Sequence, residues 1–472
     1  MMRLFRKLCR LLLQGGALVA LVQGGAAHAQ PPACPTKVVT CCDVTAALPG
    51  QTEGALQLGL QVWPEDAQNV VPRVHELRPV ALRYGGGPSW RRMPHLDHKA
   101  DYDTVRRYIA DAFARDADRY GREVGALKAM FAGLGAEAHL VIWEPPVTDA
   151  EASGNTARDK RTLPEAAVPV TAMFYVALLE ELRRRGYPVD VVELSNEPDG
   201  DWNIAIPPTR YLRLVGETRR LAKQHNVALP RIAGPGVSRI SALRSYVADP
   251  ALGKGLVGVV DQVSVHAWDD RTNRDTIAEA RQARRQLDAL GYRKAILVSE
   301  FALTFLAPAD RGRGIGADRR APDAVSNQPG YAAKTMALAL DLAATGYGPL
   351  LYWELVDPRW GKASYGLYSE RGERRPALEG WRLLSQRARQ AGEVHVVTLV
   401  PDTIFGLVYG GKLSAIAMVN ASAAPLGVTM NDTMKARIAT PAGQHRALAE
   451  CTGGGPGTRS LQPSGFVIFE LN

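Results

Sequence analysis

Cysteine is scarce in this chain, and long apolar runs are scarcer. Only five cysteines occur in 472 residues, and they form no Cys-x-x-Cys pair and no zinc-finger spacing. Beyond the N-terminal region no stretch is apolar for long enough to cross a bilayer, so no stable membrane span is expected. An early glycine-rich dinucleotide fingerprint is missing. There is also no basic stripe interleaved with aromatics, which argues against nucleic acid as a partner. The sequence calls for no cofactor and no metal.

What is present begins with an export signal. Arg3, Arg6, Lys7 and Arg10 precede a mostly apolar stretch from Leu11 to Val22, and Ala27-His28-Ala29 offers a small-residue cleavage site before Gln30. Residues 1–29 are expected to be a signal peptide, which places the mature protein in the periplasm or the medium. The apolar stretch is short and broken by Gln14-Gly15-Gly16, so an uncleaved anchor is the weaker reading. Cys34 lacks the small-residue motif that lipid attachment needs. Cleavage would remove four basic residues and no acidic one, taking the formal charge from +9 to +5. That balance suits acidic polymers without selecting one. Arg183-Arg184-Arg185 and the arginines from Arg371 to Arg375 read as solvated faces. Four cysteines remain, Cys34, Cys41, Cys42 and Cys451, an even number that fits an oxidising compartment. A bond from an early cysteine to Cys451 and a local pairing of Cys34 with Cys41 or Cys42 both stay open.

The rest of the chain is organised around Val191-Val192-Glu193-Leu194-Ser195-Asn196-Glu197-Pro198. This β-branched run reads as a buried strand stopped by a proline. A second run, Ala295 to Ser299, leads into Glu300. Around them strand and helix signals alternate. The strands are Leu56–Val62, Pro79–Tyr84, Ala136–Trp143, the Val191 run, a weak Arg231–Pro235, Val259–His266, Lys294–Ser299 and Leu350–Trp353. The helices include Asp103–Asp118, Tyr120–Ala132, Thr171–Arg185, Tyr211–His225, Thr276–Leu290, Tyr331–Ala344 and Pro376–Gln390. Eight strands with intervening helices predict an α/β fold, a (β/α)8 TIM barrel, over residues 51–391. Beyond it, Val394–Val400, Ile404–Tyr409, Leu413–Val419 and Phe466–Leu471 predict a β-sandwich over 392–472. The segment 30–50, with a strand at Val38–Val44, is expected to join that sandwich.

Two strand-end carboxylates, Glu197 and Glu300, are the equipment for hydrolysing a glycosidic bond. Arg83 is placed to favour the charged form of Glu300, and Asn196 to donate to a sugar hydroxyl. His266 ends the sixth strand, where a bond to the nucleophile or substrate and a purely structural bond are both open. Trp63, Trp143, Trp268 and Trp353 fall at strand ends and offer flat apolar faces to sugars. The tail has no tryptophan, so the sandwich reads as a packing module.

Ser195-Asn196-Glu197-Pro198 followed by Ser299-Glu300 resembles the paired signature of clan A retaining glycoside hydrolases. The resemblance covers Leu56 to Gln390 and is nearest to family 39, with families 5 and 30 close by. It implies an acid/base after strand four, at Glu197, and a nucleophile at strand seven, at Glu300. Arg83, Asn196 and His266 then line the reaction subsite, and Trp353 is the platform at strand eight. Ser195 stands where family 39 often has an aromatic, and Trp268 where many clan members have tyrosine. The expected activity is retaining cleavage of a polysaccharide or oligosaccharide, with an endo-acting exopolysaccharide hydrolase preferred. An exo-acting glycosidase, a transglycosidase and a non-catalytic glycan-binding protein are the alternatives. Arg311, Arg313, Arg319 and Arg320, between Phe305 and Pro329, suit an acidic glycan and a solvated loop equally.

Overall fold

The computed structural model describes residues 38–41, 54–90, 93–143, 145–146, 162–200, 203–269, 273–303, 325–358, 364–390, 392–422, 424–430, 448–450, 458–462 and 465–471. The signal segment, Cys34, Cys42, Cys451, the Cys41 side chain, and Arg311, Arg313, Arg319 and Arg320 lie outside the described residues. No helix among the described residues is long and apolar enough to cross a membrane.

Two short strands come first, β1 (Val38–Cys41) and β2 (Gly54–Ala55). Alternation then begins with β3 (Leu58–Gln61), α1 (Ala67–Leu77), β4 (Ala81–Gly85), α2 (Tyr102–Ala114), α3 (Ala117–Phe131), β5 (Glu137–Val141), α4 (Val168–Arg185) and β6 (Val191–Glu193). It continues through α5 (Pro208–Gln224), β7 (Arg231–Val237), α6 (Arg244–Val247), α7 (Pro250–Val259), β8 (Gln262–Asp269), α8 (Asn273–Ala289), β9 (Ile296–Leu303), α9 (Pro329–Ala344), β10 (Tyr347–Tyr352) and α10 (Ala377–Gln390). Strands β3 to β10 close into a parallel barrel, the fold expected from the alternation, and all eight fall on the predicted segments.

The differences are local and have causes. Val259, expected to open the sixth strand, instead ends α7. Asp249 caps that helix by accepting the N–H groups of Ala251 and Leu252, and Pro250 supplies a fixed first turn. Strand β6 stops at Glu193, three residues before Asn196. Strand β9 does not stop at its carboxylate but runs on to Leu303.

The barrel interior is layered. Ala81, Val191, Ala233, Leu297 and Leu351 form a small buried apolar plug of their own. Two residues further along the same segments stand Arg83, Glu193, Pro235, Ser299 and Trp353. Side chains on a strand alternate faces with period two, so this next layer also faces inward. Much of it is polar, and it sits toward the C-terminal ends of the strands, where the candidate site lies.

The remaining strands are β11 (Val394–Val400), β12 (Ile404–Tyr409), β13 (Lys412–Val419), β14 (Leu426–Met430), β15 (Leu448–Glu450), β16 (Thr458–Leu461) and β17 (Phe466–Glu470). They build a five-stranded sheet in the order β17-β13-β12-β11-β2 and a four-stranded sheet in the order β1-β14-β16-β15. Ile404, Ile416, Met418 and Phe469 from the first share one buried cluster with Val428 and Leu461 from the second, which is the core of an accessory sandwich. Chain from before the barrel completes it: β1 lies parallel to β14, and β2, within the span assigned above to the barrel, lies antiparallel to β11. Phe469 is fully enclosed in this core. Phe469→Ala is therefore expected to destabilise the sandwich by about 3–5 kcal/mol, read as an earlier urea transition.

Candidate active site

The site is assembled around one guanidinium. Arg83, on β4, is 1% exposed, and a charge so deep in the barrel requires partners on every side. Its Nε donates to Glu193 Oε2 at 2.9 Å, its Nη1 to Glu300 Oε1 at 2.6 Å and Gln61 Oε1 at 3.1 Å, and its Nη2 to Asn196 Oδ1 at 2.9 Å. Burial alone would lower the Arg83 pKa, but Glu300 and Glu193 outweigh it and hold the value above the ordinary one.

Glu193 was not among the residues expected at the site. Its other oxygen accepts from the hydroxyls of Ser264 and Ser299, each at 2.7 Å. Burial pushes its carboxyl up, yet Arg83, then His266 and the two serines, leave it below the usual carboxylate range. The signal was in the sequence: a glutamate inside an apolar strand needs a buried partner, and Arg83 sits inside another.

Two backbone irregularities aim the candidate carboxylates. Val265 of β8 pairs with Val298 of β9, but the next residue, His266, pairs with Glu300. The extra residue is Ser299, and such a bulge turns the following side chain toward the same side. Ser299 and Glu300 therefore both reach the interior, the first to Glu193 and the second to Arg83. Glu197 is aimed differently. It has φ +48°, in the left-handed region that few non-glycine residues adopt. Its N–H bonds to the Gly236 carbonyl at 3.0 Å, and its own carbonyl accepts the Gly200 N–H at 3.0 Å. Gly236 has φ +65°, and a Cβ there would stand 3.0 Å from Glu193 Oε1, so this turn requires glycine.

The result is a compact cluster. His266 Nδ1 lies 3.0 Å from Glu197 Oε1 and 3.4 Å from Glu300 Oε2, and the nearest atoms of all three lie within 4.8 Å of one another. Trp268 Nε1 donates to Glu300 Oε2 at 3.2 Å, and Asn203 Nδ2 to Glu197 Oε2 at 3.4 Å. This is also the group of described residues spaced to share a cation. Burial opposes protonation of His266, but Glu300 and then Glu197 more than offset it, so its pKa is raised. For Glu300, burial raises the pKa most, and His266 and Arg83 pull it down without cancelling the rise. The expected influence of Arg83 on Glu300 thus has the anticipated direction but does not dominate.

All four expected tryptophans meet in one wall. Trp63 stacks on Trp143 at 6.3 Å between ring centres, Trp353 meets Trp63 edge-on at 5.5 Å, and Trp268 meets Trp353 at 6.1 Å. Tyr365, not expected here, extends the wall at 5.1 Å from Trp268. Trp143 lies directly against the end of β4 because Gly85 has no side chain: a Cβ would stand 2.4 Å from the indole nitrogen. Behind the wall, the Trp63 indole N–H donates to Glu354, whose buried carboxyl is pushed well above the usual range chiefly by loss of solvent. Glu197, Glu300, Asn196 and the four tryptophans all line one cleft of about 880 Å³.

Fold and site together define a class: a (β/α)8 barrel with paired carboxyl groups and an indole-walled cleft at the C-terminal ends of its strands. Its structural neighbours include glycoside hydrolases of families 30 and 39, both expected relatives. One is the family 30 subfamily 8 xylanase Xyn30A from Clostridium acetobutylicum, at 15% identity and TM-score 0.53 over 90% of this chain and 98% of that one. Another is a family 39 glycoside hydrolase from Bacteroides cellulosilyticus WH2, at 13% identity and TM-score 0.55 over 89% and 82%. SrfJ from Salmonella typhimurium is similar at 12% identity and TM-score 0.58 over 93% and 94%. At these identities the likeness is one of fold. No protein-family model matches the sequence, and no curated protein matches it.

Two measurements check the electrostatics. Glu193→Gln leaves Arg83 one buried counter-charge short and is expected to cost about 3–5 kcal/mol in chemical denaturation. Glu300 is the strongest influence raising the His266 pKa, so Glu300→Gln is expected to lower it, read by NMR titration of the ring nitrogens. An unmoved or higher His266 midpoint would contradict that coupling.

Proposed function

We propose that the protein is a retaining glycoside hydrolase, with Glu300 as nucleophile and Glu197 as acid/base. The observation that carries this reading is the approach of the two carboxyl groups, whose nearest oxygens lie within 4.8 Å. Double displacement works with carboxyl groups about 5–5.5 Å apart, whereas inversion needs about 6.5–9.5 Å to admit a water between them.

In the first step Glu300 attacks the anomeric carbon as the glycosidic C–O bond breaks, and Glu197 gives its proton to the departing oxygen. In the second, Glu197 takes a proton from water, the water oxygen bonds to the anomeric carbon, and Glu300 is released as carboxylate. Arg83 and Trp268 donate to opposite oxygens of Glu300 and fix its orientation. Arg83 also holds the Asn196 carbonyl oxygen, leaving the amide N–H donors for a sugar hydroxyl. His266 Nδ1 bridges the two carboxyl groups, so it links the protonation of one to the charge of the other.

The substrate class that fits is a polysaccharide or long oligosaccharide, cleaved internally. Residues following barrel strands one to five and eight, with Trp268 on strand six and Glu300 on strand seven, contribute to the same cleft, from Trp63 and Glu65 through Ser238 and Arg239 to Tyr365. Walls contributed by so many strand ends favour a chain held on both sides of the reacting bond. The export-like N-terminus fits an enzyme that meets polymer in the periplasm or medium.

A polysaccharide screen with product sizing tests the substrate class: internal cleavage yields oligosaccharides, whereas monosaccharide release from chain ends would make the enzyme exo-acting. Proton NMR of the first-formed product is expected to show the substrate's own anomeric configuration, and inversion would overturn the mechanism. Glu197→Ala is expected to lower kcat by about 10²–10⁴-fold on substrates with poor leaving groups and far less on a glycosyl fluoride. Glu300→Gly is expected to abolish hydrolysis of both.

A further inference from the structure

The run Gly85-Gly86-Gly87-Pro88 and the helical excursion after β4 are not used by the reaction centre, yet both line the cleft. Their meeting point is Glu123 on α3. The Gly87 N–H donates to Glu123 Oε1 at 2.7 Å. The approach depends on the glycines, since a Cβ at Gly86 would stand 3.2 Å from that same oxygen. Gly87, which holds Glu123, lies four residues beyond Arg83, just past the end of β4, and no hydrogen bond joins Glu123 to the Arg83 network among the described residues. Arg119, one turn earlier on α3, lines the same part of the cleft and is exposed.

A carboxylate, a guanidinium and an indole are what a pyranose ring requires: acceptors and donors for its equatorial hydroxyls and an apolar surface for its C–H groups. A carboxylate can accept about four hydrogen bonds; the Gly87 N–H and the neighbouring Tyr187 hydroxyl account for two. Glu123 is half-buried at the cleft wall, and that burial pushes its carboxyl up to about 7. A group in that condition gains more from a new hydrogen-bond donor than an exposed one does.

We propose that Glu123, with Arg119 and the half-buried Trp143 beside them in the cleft, forms a distal subsite that binds a sugar unit beyond the one undergoing reaction. The proposal rests on the glycosidase reading and deepens it, because such a subsite makes the enzyme select chain length.

The test compares kcat/KM for β-1,4-xylo-, β-1,4-gluco- and β-1,6-gluco-oligosaccharides of two to six units with kcat/KM for the aryl monoglycoside of the same sugar. Glu123→Gln keeps an acceptor for the Gly87 N–H while removing the charge. It is expected to lower the oligosaccharide-to-aryl ratio by about tenfold or more for the longer chains. A ratio that stays the same, whether both activities are intact or both fall together, would overturn the subsite. If Glu123→Gln does not fold, Arg119→Ala carries the same comparison, because that side chain is exposed.

Calorimetric binding of the same oligosaccharides to the unaltered protein separates this proposal from the one beneath it. Binding weakened by Glu123→Gln in a protein that hydrolyses nothing would keep the subsite and remove the glycosidase. Hydrolysis with no dependence on Glu123 would do the reverse. Neither binding nor hydrolysis would remove both.

Discussion

A positive charge closed inside a barrel is the constraint on which this structure turns. The Arg83 guanidinium has almost no contact with water, and leaving it unpaired there would cost several kcal/mol. It is satisfied by groups from four places in the barrel: Gln61 on β3, Glu193 on β6, Asn196 just beyond it, and Glu300 on β9. Each of those groups is fixed in return. The strands that meet Arg83 cannot slip by one residue without turning these side chains away from the interior, so the charge sets the register of the site as well as its electrostatics.

The carboxyl groups differ because their surroundings differ. Glu193, with a guanidinium and two hydroxyls upon it, stays ionised and acts as a permanent counter-ion. Glu300 shares Arg83 with Glu193 and shares His266 with Glu197, so burial lifts it despite two cationic neighbours. Glu354, screened from solvent and facing an indole N–H, has its carboxyl pushed well above the usual range. The arrangement separates a structural carboxylate from the proposed catalytic pair, using backbone devices that cost stability: a bulge at Ser299 and a left-handed residue at Glu197. Strain of that kind persists where the surroundings over-determine it, and here the Gly236 carbonyl and the Gly200 N–H do so.

Much of the barrel was legible in the sequence because its strands are apolar runs bounded by glycine and proline, and its helices show a clear apolar face. Even the weak Arg231–Pro235 segment proved to be a strand, since the count of eight required one there. The two glutamates, the arginine and the four tryptophans could be found because each stands at or near a strand end. What could not be read was pairing. The bulge that turns Glu300 inward depends on which residue of β8 lies opposite, and nothing local to Ser299 announces it. The short strands β2, β15 and β16 are too brief for a periodic signal, and Val259 was misplaced because its apolar run hides the Asp249 cap ten residues earlier. Glu193 is hidden for a different reason: it stands among apolar strand residues, and its role shows only when its charge is matched to Arg83 in another strand.

The account stands or falls on which side chain becomes bonded to the sugar. The direct measurement is mass spectrometry of the protein after inactivation by a 2-deoxy-2-fluoro glycoside of a sugar that it hydrolyses, followed by peptide mapping. The mass of one fluoroglycosyl group on the peptide carrying Glu300 is the result expected. The same label on the peptide carrying Glu197, or turnover of the fluoroglycoside with no covalent adduct, would contradict it.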